Sequence, residues 1–190
     1  AHLAGILGLL RNAGQRSFLL GTIQKGGAGV VYDLENNYMP VNFVPFRDAV
    51  RKRRCVVPAS GFYEWQTATG AGKRRKQPWY FHRAGGGFLA FAGLLAAWRP
   101  AGGDTVVSGC IITTAANATM APIHERMPVI LQPGDDNLWL SRDTTPERFG
   151  QLIAPCPDAM LCMHPVSKAV GNVRNEGAQL IAPEPVRQPR

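Results

Sequence analysis

FRDAVRKRRCVVPASGFYEW, residues 46–65, is the stretch from which the fold is read. Its first part, FRDAVRKRR, has helical propensity with apolar residues at Phe46, Ala49 and Val50, which predicts a short helix or helical turn that shows its cations to solvent. Cys55–Val57 then reads as a brief buried strand, Pro58–Gly61 as a turn and Gly61–Gln66 as a second strand. Period-two geometry on that strand sends Tyr63 and Trp65 to one face and Phe62, Glu64 and Gln66 to the other. One carboxylate, Glu64, thus stands among aromatic rings beside a dense positive patch.

The partner stretch is IHERMPVIL, residues 123–131, which places His124 and Arg126 just before another apolar strand, Met127–Leu131. Between the two stretches, Thr67–Gln77 reads as a mobile basic hairpin loop, Pro78–Arg83 and Phe88–Leu95 as strands, and Thr105–Thr114 as one long apolar strand. Ala115–Pro122 is expected to be a helical turn or loop that delivers His124. Asp135–Ser141 and Pro146–Ile153 read as helices, the second with Thr144 or Thr145 as cap and Pro146 at its first position. Met160–Val173 begins as a strand and continues as a loop carrying Lys168. Upstream, Ser17–Gln24 and Gly29–Asp33 look like short strands about the glycine turn Gly26–Gly29, and Asn36–Pro45 looks like loop. Successive short strands with turn signals predict an antiparallel core. The expected organisation is one domain over residues 1–183, its 1–45 part divergent or incomplete, and a frayed tail over 184–190.

Bulk composition narrows the function classes. The chain has 190 residues, 45% of them hydrophobic, and no apolar run near the roughly 20 residues that span a bilayer. Cytoplasmic location is expected, at the nucleoid in a bacterium, with the chain acting as a monomer away from membranes. The net charge of +8 is concentrated between Arg47 and Lys76, where nine basic residues face two acidic ones, Asp48 and Glu64. Cations on either side of a hairpin carrying Phe62, Tyr63 and Trp65 suit single-stranded nucleic acid, since cations hold phosphates and rings stack on unpaired bases. Of the four cysteines, Cys55 and Cys110 lie in apolar strand-like runs and read as small buried thiols. The Cys156, Cys162, His164 grouping has five residues between its cysteines and lacks the short gap of structural zinc sites, so neither metal nor cofactor is assigned.

Three positions stand out for chemistry. A carboxylate beside aromatics loses solvation, which suits Glu64 to general acid or base work; the His124 imidazole titrates in the useful range. Arg126 is placed either to hold a phosphate or to pair with Glu125. Bland alternatives stand beside these: Glu64 as an exposed strand residue and His124 as a hydrogen-bonded structural histidine. Phosphate-loop, dinucleotide, nucleophile-elbow and H-E-x-x-H motifs are absent from the sequence, and nothing places a base near Ser60.

FRDAVRKRRCVVPASGFYEW, IHERMPVIL and HPVSKAVGNVRNEGAQLI (residues 164–181) resemble, in that order and at suitable separations, the blocks of the SRAP (SOS-response-associated peptidase) family of abasic-site processing proteins. The resemblance covers residues 46–183. It implies an α+β fold, its mainly antiparallel sheets forming a barrel-like core with flanking helices, and a basic channel for single-stranded DNA carrying abasic sites. It also implies capture of the ring-opened aldehyde by an N-terminal cysteine, through a Schiff base that closes to a thiazolidine. By motif match Glu64 takes the place of the glutamate that assists ring opening, crosslink release and autoproteolysis, and His124 that of the histidine that stabilises the lesion. Arg47, Arg53, Arg54, Arg126 and Lys168 are expected on phosphates, with Trp65 stacking on a base. This chain departs from the pattern: it begins Ala1, His2, Leu3, and near Asn36 and Asn37 no arginine completes the family's Asn-Ala-Arg block. A non-catalytic single-stranded DNA-binding module without the nucleophile is the alternative.

Overall fold

A computed structural model describes residues 19–20, 49–70, 73–98, 101–104 and 106–184. Arg47, the remainder of the 46–48 segment, Asn36, Asn37 and the tail from residue 185 lie outside the described residues, as does most of the upstream strand and loop reading.

Two sheets and a pair of helices are stacked about two apolar layers. The larger sheet runs β1 (Leu19–Leu20), β6 (Val106–Ile111), β5 (Leu89–Trp98), β2 (Arg54–Ala59), with β9 (Ile130–Leu131) also paired to β5. The β1–β6 pair is parallel and the others are antiparallel. A second sheet has the order β10 (Leu161–Pro165), β4 (Lys73–Arg83), β3 (Gly61–Gly70), all antiparallel. A small ribbon pairs β7 (Thr113–Ala115) with β8 (Arg126–Pro128). These are three separate sheets among the described residues, mainly antiparallel as expected but not closed into a barrel.

β5 shows why. Its sequence LAFAGLLAAW is apolar throughout, and over residues 89–94 both faces are covered. Leu89 and Phe91 face one core with Phe62, Phe81, Ile111, Met120, Met127 and Leu161. Ala92 and Leu94 face the other, with Val129, Leu131, Trp139, Phe149 and Leu152. The first core joins the two sheets. The second lies under the helices α1 (Asp135–Leu140) and α2 (Pro146–Leu152). As expected from the sequence, α2 starts with Pro146, and its Thr145 cap accepts a hydrogen bond from Arg148 N.

Four local expectations need correction. Pro58, read as part of a turn, lies inside β2. Among the described residues β2 pairs only with β5, so a residue without an N–H is tolerated on this edge strand. The basic loop 67–77 is a long hairpin whose backbone pairing continues to Gly70↔Lys73, because the ladder bonds outweigh the local loop signal. The 105–114 strand is broken at Ile112 and the 127–131 strand at Val129. There Ala92 N donates to Val129 O (3.0 Å), Val129 N to Ile112 O (2.8 Å) and Ile112 N to Ala92 O (2.9 Å). This closed ring of three backbone hydrogen bonds splits each apolar run, sending one half to the large sheet and the other to the β7–β8 ribbon. The ribbon, in turn, carries the chain into and out of the His124 turn.

Candidate functional site around Glu64 and His124

Phe62 sets the orientation of β3. It is buried and stacked on Phe81 with centroids 5.0 Å apart, which puts the core side of the strand on the Phe62, Glu64, Gln66 face, as period two required. Glu64 is half-buried on that face opposite Trp79, and its Oε1 accepts a hydrogen bond from Trp65 N at 3.1 Å. Gln66 does the work of connection. Its Oε1 accepts from Trp79 Nε1 (3.2 Å), and its Nε2 donates to Pro122 O (3.1 Å). The Glu64 face of the sheet is thereby tied to the backbone two residues before His124.

His124 is half-buried at the end of a tight turn in which Met120 O accepts from both Ile123 N (2.9 Å) and His124 N (3.1 Å). Its ring is held from behind. Its Nδ1 lies 3.0 Å from Arg126 N and 3.1 Å from Arg126 O: without a proton it accepts from the Arg126 N–H, and with one it donates to the carbonyl. The Arg126 side chain does not turn to Glu125. Its Nε and Nη2 donate to Thr113 Oγ1 (3.1 and 2.8 Å), and Nη2 also to Thr113 O (2.8 Å), fixing the guanidinium across the β7–β8 ribbon and leaving Nη1 outside those bonds.

The other expected contacts disperse. Trp65 is adjacent to Glu64 in sequence but lies on the opposite face of β3, with Tyr63. That face holds a ring cluster in which Tyr80 lies 5.2 Å from Tyr63, 5.7 Å from His82 and 5.6 Å from His164. Burial first, and then the neighbouring Tyr80, raises the Tyr63 phenol to about 12. Arg53 is exposed just before β2, and Lys168 is exposed in a 3-10 turn (Lys168–Gly171) whose preceding Val166 bonds Pro78 O and Gln77 Nε2. Arg54 is turned inward. Its guanidinium donates to the carbonyls of Val50, Trp139 and Ser141 and lies 5.9 Å from the Trp139 and Phe149 ring centroids. With three of its N–H donors on helix-end carbonyls and its charge beside two rings, Arg54 has a packing task in place of the expected phosphate contact. Trp139 reciprocates by donating from Nε1 to Cys55 O at 2.8 Å.

Gln66 was visible in the sequence only as a neighbour on Glu64's face, and Thr113 gave no signal. Their roles depend on partners 56 and 13 residues away.

Residues 42–173 match the model of a family described as SOS response associated peptidase (SRAP). The abasic site processing protein YoqW of Bacillus subtilis is 33% identical over 137 residues, covering 72% of this chain and 60% of the relative. The abasic site processing protein YedK of Escherichia coli is 32% identical over 142 residues, covering 73% and 61%. The chain therefore spans about 60% of the length of these curated relatives. A solved structure of a Bacteroides thetaiotaomicron protein shares the fold, with a TM-score of 0.69 at 23% identity over 76% of this chain and 62% of that one. With the matching model covering more than half of its residues, this chain belongs to the SOS response associated peptidase (SRAP) family.

Proposed function

We propose that the chain recognises abasic sites in single-stranded DNA and processes the exposed sugar with Glu64 and His124, acting as a monomer on DNA in the cytoplasm. The observation that carries this reading is the Gln66–Pro122 bond, which joins the strand bearing Glu64 to the turn bearing His124 in a chain of the SRAP family. The names of the relatives, abasic site processing proteins, support the lesion as ligand.

In this reading Glu64 takes the proton of the sugar's C1 hydroxyl and returns a proton to the ring oxygen as the C1–O bond opens, leaving the aldehyde. His124 donates a hydrogen bond to the lesion, and the Nη1 end of Arg126 holds the adjoining phosphate. Arg47, Arg53 and Lys168 supply further phosphate contacts, with Trp65 stacking where the strand wraps round the sheet. Covalent capture is proposed for a form of the protein that begins with Cys: its amine condenses with the aldehyde, water leaves, and the thiol adds to the resulting C=N bond to close a thiazolidine.

The test compares two single-stranded oligonucleotides, identical except that one has an abasic site, by fluorescence anisotropy at fixed salt. A preference of about tenfold or more for the abasic strand is expected, the size of one or two lesion-specific contacts. Equal affinities would overturn lesion recognition and leave a plain DNA-binding module.

A further inference from the structure

The structure assigns Asn117 as a positioning residue for His124, a role that rests on the function proposed above but is read from a separate hydrogen-bond chain. Asn117 is the buried polar side chain among the described residues, and it opens the turn that ends at His124. Both ends of its carboxamide are used. Nδ2 donates to Cys156 O at 3.0 Å, and Oδ1 accepts from Met120 N at 3.0 Å. Met120, itself fully buried, then accepts from His124 N through its carbonyl. The carboxamide and the Met120 backbone thus link Cys156 to the backbone of His124.

The turn is also held from its outer side. Asp158 Oδ1 accepts from Ala118 N (2.8 Å) and Thr119 N (3.4 Å), while Thr119 Oγ1 donates to Asp158 O (3.3 Å). Asn117 N faces Met127 Sδ at 3.3 Å, which ties the start of the turn to the strand that leaves it. A side chain that donates to one carbonyl and accepts from one N–H at this spacing must be an amide: aspartate lacks the donor at neutral pH, and alanine lacks both groups. Removing either end frees the backbone that aims the His124 ring, and a displacement near 1 Å at a reacting centre costs on the order of a hundredfold.

The experiment uses full-length protein labelled with ¹⁵N-histidine, the His124 ring signals being assigned with His124→Gln. Asn117→Ala and Asn117→Asp are compared with Phe149→Leu, a change in the helix-side core that lowers the melting temperature without touching the turn. In both Asn117 variants the His124 ring signals should move, and the preference for the abasic strand should fall about tenfold. Affinity for the intact strand should change less than about twofold, since that term comes from cations on phosphates. Phe149→Leu should lower the melting temperature and change neither readout. The assignment is overturned if the His124 signals of a folded Asn117 variant coincide with the parent's, or if Phe149→Leu reproduces the same loss. Should Asn117→Ala fail to fold, Asn117→Asp decides on the same criteria. A parent protein without any abasic preference would defeat the proposed function, whereas the ring signals would still decide the role of Asn117.

Discussion

Glu64 sits between two constraints: its backbone belongs to a sheet whose Phe62 face is core, and its carboxylate accepts from the next residue's N–H. Removing the negative charge while keeping the shape tests its proton-transfer role. In a Cys-initiated form, Glu64→Gln should slow crosslinking to abasic single-stranded DNA by about a hundredfold or more, measured as covalent adduct on a denaturing gel. A rate equal to the parent's would remove Glu64 from the chemistry. Across the same strand, Tyr63 reports on the ring cluster. Its phenol ordinarily ionises at 10.0 and is raised to about 12 in the fold. Between those values the unfolded chain has released a proton that the folded chain keeps, so the contribution to stability is complete below about pH 10. It declines as pH rises toward about 12. Urea midpoints taken through this window should fall more for the parent than for Tyr63→Phe; parallel curves would mean that the phenol is solvated. Buried Cys156 is likewise raised to about 11, chiefly by desolvation, which makes it an inert core thiol, in contrast to exposed Cys162.

At the level of elements, the β3–β4 hairpin depends on a position without a side chain. A Cβ at Gly61 would lie 2.3 Å from Phe81 O and 2.5 Å from two atoms of the Tyr80 side chain. Gly61 therefore lets the Tyr80 ring lie flat over the strand and keeps the backbone of β3 in register with β4. Gly61→Ala should cost about 1–3 kcal/mol, the usual size for overpacking, and chemical denaturation would measure it. An unchanged midpoint would show that the β4 backbone at Phe81 and the Tyr80 ring both give way freely. Arg54 and Trp139 lock another pair of elements, the guanidinium binding carbonyls at the end of α1 while the indole donates to β2. A basic residue in a cationic run thus serves packing, which local charge alone does not distinguish from DNA contact.

On the scale of the whole molecule, two apolar cores flank the large sheet, and the Glu64–His124 region lies where the second sheet meets the turn leaving the β7–β8 ribbon. Among the described residues no helix is long and apolar enough to cross a membrane. The positive charge gathered between Arg47 and Lys76 should appear as counterion release. For four or five phosphate contacts, a plot of log affinity for single-stranded DNA against log salt should slope near about −3. A slope near zero would mean that these cations do not reach phosphates.

Local pattern by itself determined the parts of this protein that neighbours in sequence control. These include the alternation that puts Glu64 on the face of Phe62, the Thr145–Pro146 start of α2, and the ordered blocks that mark the family. Only the tertiary structure decided how the apolar runs at 105–114 and 127–131 divide, which way Arg54 points, and that Gln66 ties the Glu64 strand to the His124 turn. Each of these is settled by a hydrogen bond to a carbonyl far away in sequence. A buried backbone group takes whatever partner the packed fold brings near it, and local periodicity carries no record of that partner.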